Sequence, residues 1–186
     1  MPMEIKFSTD LQTILRYARD EAARTGSYGV GADHVVLGLL RHRDNDACRI
    51  LSACGVDLDA FKRDIDAQVL GERPVPWADQ AQIRPTRGAA ALVGGAAYEA
   101  LKQGGHEIFP AHLLLALIRH EKSTAADLLR GRDFDYDRLF ALMREQNYIL
   151  PHEEIVLPRL EDLLGPLGEQ LTHLYTNANS ETNLYS

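Results

Sequence analysis

The chain repeats itself. A shift of 78 positions, the distance from His34 to His112, lays residues 6–69 on residues 84–147 without a gap. Ala18, Glu21, Ala22 and Gly26 fall on Ala96, Glu99, Ala100 and Gly104. His34, Leu37 and Leu39 fall on His112, Leu115 and Leu117, and Arg41-His42 on Arg119-His120. Non-identical pairs keep their character, as in Ser8/Thr86, Val30/Ile108 and Ile65/Met143. A unit duplicated in this way points to a self-complementary scaffold.

Each unit reads as four helices. Ser8, and Thr86 in the second unit, are N-cap residue types. Leu11, Ile14, Leu15, Ala18 and Ala22 then mark one face at helical spacing. Gly26 and Gly104 stop the first helix of each unit. The second helices open at Gly31-Ala32-Asp33-His34 and Phe109-Pro110-Ala111-His112, with Pro110 suited to a first turn. They run on as Val35-Val36-Leu37-Gly38-Leu39-Leu40 and Leu113-Leu114-Leu115-Ala116-Leu117-Ile118, apolar on every side, and so should be buried at the centre. Third helices are expected over about 45–53 and 123–130, fourth helices over about 58–70 and 136–146. No segment alternates with period two, so no significant sheet is expected. The fifth helix, about 86–102, is rich in Ala89–Ala91 and Gly94–Ala97. Those small residues predict tight packing against the matching first helix, or a weak helix; a close-approach groove is the alternative.

Residues 71–82, GERPVPWADQAQ, form a linker in which two prolines and a glycine break helix. Trp77 is expected to cap the seam between the lobes. The organisation is therefore 1–70, first repeat; 71–82, linker; 83–147, second repeat; 148–186, a partly flexible extension. In that extension Leu150-Pro151 to Leu157-Pro158 reads as extended, Leu160–Tyr175 as a helix interrupted at Gly165-Pro166, and TNANSETNLYS as frayed.

At 186 residues the chain suits one domain or two small lobes sharing a core. Twenty Lys and Arg against 27 Asp and Glu leave a net charge of −7, which disfavours nucleic acid. The start, MPMEIKF, lacks a signal-peptide run. The longest apolar stretch, Leu113–Ile118, cannot span a bilayer. Cys48 and Cys54 match no metal or redox spacing, in keeping with a reduced, cytoplasmic compartment.

Chemistry-bearing patterns are sparse. His34 and His112 occupy equivalent positions at the starts of buried helices, and no converging ligand set accompanies them, so both read as structural helix-start residues. His42 and His120 follow arginines at helix ends, where a cation complements the dipole. Asp57/Asp59 and Asp135/Asp137 read as helix-start acids. Ser8, Ser27 and Cys54 sit in no nucleophile elbow. The lysines, Lys6, Lys62, Lys102 and Lys122, do not follow glycines, so no phosphate loop is present. A small hydrolase or metal enzyme is the reading from another class; it would need converging polar groups that the sequence does not offer. No cofactor is expected.

The Phe7-Ser8 start, Ala22 to Gly26 and Gly31-Ala32-Asp33-His34 before an apolar helix, recurring with Pro110, His112 and Arg119, resemble the double Clp-N module. That is the N-terminal domain of AAA+ unfoldases such as ClpA and ClpC and of stand-alone relatives, whose signature is Gly-Thr-Glu-His or Thr-Pro-Glu-His. The likeness covers about residues 5–146, and Leu167–Thr172 is similar to the start of the family's ATPase module. The resemblance implies an all-α, pseudo-twofold, eight-helix domain. It also implies a non-catalytic binding role: recognising substrates or adaptors for a Clp-type ATPase or protease, or regulating that machine. A stand-alone decoy that sequesters unfoldase ligands is the alternative. In some ClpC-type members two repeat-related glutamates bind the guanidinium of phosphorylated arginine. Here the matching positions are Asp33 and Ala111, so the resemblance leaves Asp33, with Ser8, as the candidate ligand-binding residues and places any cationic-ligand site in the first repeat alone.

Overall fold

The computed structural model describes residues 5–145 and 159–184. The fold is all-α. In the first unit helices α1 (Thr9–Thr25), α2 (Ala32–Arg41), α3 (Asp46–Ala53) and α4 (Leu58–Val69) follow one another. The second unit runs through α5 (Arg87–Lys102), α6 (Pro110–Ile118), α7 (Thr124–Arg130) and α8 (Tyr136–Glu145). Local chemistry sets these bounds. Ser8 Oγ accepts from the Leu11 N–H at 3.1 Å, and Thr86 Oγ1 from that of Ala89 at 3.2 Å. Asn45, Asp57, Ser123 and Asp135 do the same for α3, α4, α7 and α8. Gly26, at φ 83°, ends α1 in the left-handed conformation that glycine adopts without a Cβ penalty.

Four two-residue strands lock the units together, against the expectation of no significant sheet. Strand β1 (Lys6–Phe7) pairs in parallel with β4 (Glu107–Ile108), and β2 (Gly29–Val30) with β3 (Arg84–Pro85). Under the 78-residue shift β1 matches β3 and β2 matches β4. Each unit thus lends its first strand to the other unit's second strand, a reciprocal exchange that has twofold symmetry. The flanking Arg84 and Thr86 N–H groups donate to Tyr28 and Val30 at 3.0 Å, so Pro85 costs the pairing nothing. Two residues are too few to show a period-two pattern, which is why the sequence concealed them.

The two apolar helices lie at the centre. All nine residues of α6 are buried, and so are eight of the ten residues of α2. Val35, Val36 and Leu39 of α2 and their counterparts Leu113, Leu114 and Leu117 of α6 line one small apolar void with Leu92. Close helix crossings flank this seam. A Cβ on Gly38 would lie 2.4 Å from the Ile14 carbonyl oxygen and 2.8 Å from the Ala18 nitrogen, so α2 rides directly on the α1 backbone. In the second unit Ala116 stands at the Gly38 position and Gly95 of α5 gives way instead: a Cβ on Gly95 would lie 3.1 Å from the Ala116 Cβ. Gly95 therefore serves α6, not the first helix as expected from sequence.

Buried Glu21 and Glu99 brace the outer helices. Glu21 pairs with Arg24, which bonds Asp66 of α4 at 2.6 Å. Glu99 accepts from the Tyr136 hydroxyl of α8 at 2.7 Å, beneath an Arg119 guanidinium 3.7 Å above the Tyr136 ring.

The linker is anchored by Val75 and Ile83, both buried, through a short 3-10 turn over Trp77–Gln82. Trp77 itself is 69% exposed and caps no seam: the turn places it outward. Helix α9 (Leu160–Leu184) runs through Pro166 without interruption and beyond Tyr175. Burial of Leu163, Leu167, Leu171 and Leu174 against α5 and α1 outweighs the hydrogen bond that Pro166 removes. The expected extended run over 150–158 lies outside the described residues. No described helix is long and apolar enough to cross a membrane.

Gly38→Ala should destabilise the fold by about 2–4 kcal/mol, because its Cβ meets backbone that cannot turn aside. Gly95→Ala should cost much less, since it meets a side chain and gains helix propensity. Urea titration of both variants checks the ranking; equal midpoints would refute the crossing described for α1 and α2.

Candidate interaction site at the repeat junctions

Asp33 and His34 lie in the first turn of α2, and His112 in that of α6. His34 sits at the third position of α2. Its Nδ1 accepts from the Gly31 N–H at 2.9 Å, which leaves Nε2 to donate to Thr25 Oγ1 at 3.0 Å. His112 repeats this at α6: Nδ1 accepts from the Phe109 N–H at 2.9 Å and Nε2 donates to Gln103 Oε1 at 3.0 Å. Each ring fastens a helix start to the end of the preceding helix. Burial pushes both below the ordinary histidine value, His112 to about 4. Both rings are neutral at pH 7.

Asp33 faces the other unit. Its Oδ1 accepts from Ser123 Oγ at 2.8 Å and from the Ala125 N–H at 2.9 Å, and its Oδ2 accepts from the Thr124 N–H at 3.2 Å. A carboxylate offers about four acceptor sites, and three are filled here. The carboxylate that the resemblance assigns to a ligand therefore caps α7 from across the junction. A guanidinium would have to compete with a helix N-terminus for it. Ser8, the other candidate, is buried as the cap of α1 and presents no hydroxyl to a ligand.

The opposite junction solves the same problem in reverse. Ala111, at the position matching Asp33, has no carboxylate to give. Asp46, at the first position of α3, lies against the backbone N–H groups of Ala111 and Ala47 instead. It is buried, and burial pushes its carboxyl up to about 6 despite those donors. Its Oδ1 has no hydrogen-bond partner among the described residues. Asp46 was missed in the sequence because its counterpart, Thr124, is uncharged; the one available signal was an acid in a helix first turn.

The helix-end histidines differ between junctions. His42 Nε2 meets Asp10 Oδ1 at 2.8 Å. Gly88 replaces Asp10 in the second unit, and burial lowers the His120 pKa, opposite to the cationic role expected of it. Buried Cys48 has its thiol pushed up to about 11 by burial, which leaves it a poor nucleophile. Among the described residues no three His, Cys, Asp or Glu side chains converge as metal ligands.

A family model described as the Clp repeat N-terminal domain matches residues 6–132. The chaperone protein ClpB of Oceanobacillus iheyensis is 28% identical over 127 residues, which is 68% of this chain and 15% of that protein. The negative regulator of genetic competence ClpC/MecB of Bacillus subtilis is 27% identical over 126 residues, with the same coverage. The chain thus spans about 15% of the length of these relatives. The solved N-terminal domain of the chaperone ClpD from Arabidopsis thaliana superposes with a TM-score of 0.57 at 15% identity, covering 75% of this chain and 96% of that one. A chain from structural work on a malarial protein secretion system gives a TM-score of 0.64 at 15% identity, over 75% and 93%. These likenesses are of fold.

Asp33→Ala should cost about 1–3 kcal/mol by uncapping α7, with Asp33→Asn intermediate. Thermal unfolding reads this; no change in either variant would remove Asp33 from the junction. The lowered His112 pKa makes the unfolded chain bind more protons than the native one between about 4 and the ordinary 6.5. Its contribution to stability is full above 6.5 and lost as pH falls towards 4. Asp46, raised from 3.8 to about 6, opposes this, since its ionisation destabilises the fold as pH rises through that window. Comparison with His112→Gln isolates the histidine. From pH 7 to 5 the unmodified chain should lose up to about 2 kcal/mol more than the variant. Parallel losses in urea titrations would show that the ring is not held neutral.

Proposed function

The chain belongs to the Clp repeat N-terminal domain family, and we propose that it works as a non-catalytic recognition module of a Clp-type chaperone–protease. In this reading it binds substrates or adaptors, or regulates such a machine. The single observation that carries the reading is the family match across both repeats, residues 6–132. It is supported by relatives named as Clp chaperones, protease ATP-binding subunits and a competence regulator. The chemistry of the junctions agrees: Asp33, His34 and His112 are engaged in fastening helix starts, as in a scaffold.

The geometry also shapes how recognition would work. Three hydrogen bonds hold the Asp33 carboxylate, so a cationic ligand has at best one remaining acceptor site there. Partner affinity then comes from apolar and shape complementarity over the outer surface.

The test is affinity capture with the intact chain from a lysate of its own cells, with cross-linking and mass spectrometry. Enrichment of a Clp ATPase, its protease or its adaptors is expected. Capture devoid of any Clp component or Clp substrate would overturn the reading. The chain has no phosphate-loop lysine, so ATP with magnesium should leave its melting temperature unchanged. A nucleotide-dependent rise would contradict a module without a motor.

A further inference from the structure

Helices α1 and α5 are counterparts with unlike outer faces. Where α1 carries Arg16, Arg19 and Asp20, α5 carries Gly94, Ala97 and Tyr98. Arg16 and Asp20 are exposed, whereas Gly94 and Ala97 are buried. The inner side of α5 is taken by α6, with Gly95 against Ala116. The outer apolar strip needs another cover, and α9 supplies it. Its Leu163, Leu167, Leu171 and Leu174 follow helical spacing and are buried. The Tyr175 hydroxyl donates to the Leu15 carbonyl of α1 at 3.0 Å, and Gln170 Nε2 to the Ile5 carbonyl at 3.1 Å.

This cover is weak as a helix in its own right. Gly165, Pro166 and Gly168 all fall in its first three turns, where glycine and proline are the least favourable residues. Docking, not propensity, holds α9 helical. It also lies beyond the residues that the family model matches. A segment of this kind opens before the core does.

We propose that the outer face of α5, together with the Leu15 carbonyl of α1, is a docking groove for an amphipathic helix, filled in cis by α9 and open to the α9 of a second copy. The second copy is the occupant because α9 is the helix whose leucines and tyrosine the groove already fits. Two chains exchanging equivalent helices form a closed twofold pair that rebuilds the same buried surface. The inference goes beyond the recognition role above and needs no Clp partner, so either can fail alone.

The test uses the full chain and a fluorescent peptide of residues 159–184. Leu171→Asp places a charge in the apolar seam and releases the cis helix. This variant should bind the peptide at least about tenfold more tightly than the unmodified chain does, and Pro166→Ala more weakly. Light scattering should show the unmodified chain forming dimers as concentration rises, and added peptide should dissociate them. Equal peptide binding by all three chains, no binding by folded Leu171→Asp, or a monomer at every concentration overturns the proposal. If Leu171→Asp does not fold, hydrogen exchange decides. Amides 167–175 should exchange faster than those of α2 and α6, and Pro166→Ala should slow them roughly tenfold or more with the core unchanged. Exchange of α9 at the core rate, or no slowing by Pro166→Ala, refutes it.

Discussion

Val35, Val36 and Leu39 meet Leu113, Leu114 and Leu117 where the two units join, and the rest of the molecule is arranged to keep that seam dry. Each central helix is covered partly by its own unit and partly by helices of the other. Each unit brings α1 or α5 to one side of its central helix and leaves another side for the twin. The seam between the units is thus part of the core of both. The strand exchange and the helix crossings at Gly38 and Gly95 follow from it, since both bring backbones close enough for the seam to close.

The junctions show how symmetry is kept while its chemistry is divided. One side is held by the Asp33 carboxylate reaching across to the N-terminus of α7. The other is held by Asp46, which stays beside its own helix start and meets the backbone N–H of Ala111. Both place an acid where helix N-termini converge, an electrostatically favourable position on each side. Capping from across the interface ties the folding of one unit to that of the other.

Helix bounds were legible in the sequence because caps, glycine stops and apolar phase are local signals. Ser8, Thr86, Asp57 and Asp135 cap their helices, and Gly26 ends α1 as its backbone freedom implies. The histidine geometry was half legible. Equivalent positions at two helix starts pointed to a structural use, but Thr25 and Gln103 could not be named as partners, being nine residues away on another helix. The exposure of Trp77 and the passage of α9 through Pro166 were not legible, because burial elsewhere outweighed the local preference of those residues.

The sequence by itself determined that the chain is a duplicated all-α unit with two apolar central helices and no phosphate loop, and its motifs pointed to the Clp repeat family. These properties depend on residues close in the chain or on a period that counting reveals. Tertiary structure alone decided that each unit exchanges a strand with the other, that Asp33 is spent on a helix 90 residues away, and that α9 covers the bare face of α5. Each of these joins groups far apart in sequence, where the energy of contact depends on the path of the backbone between them and no local pattern records it.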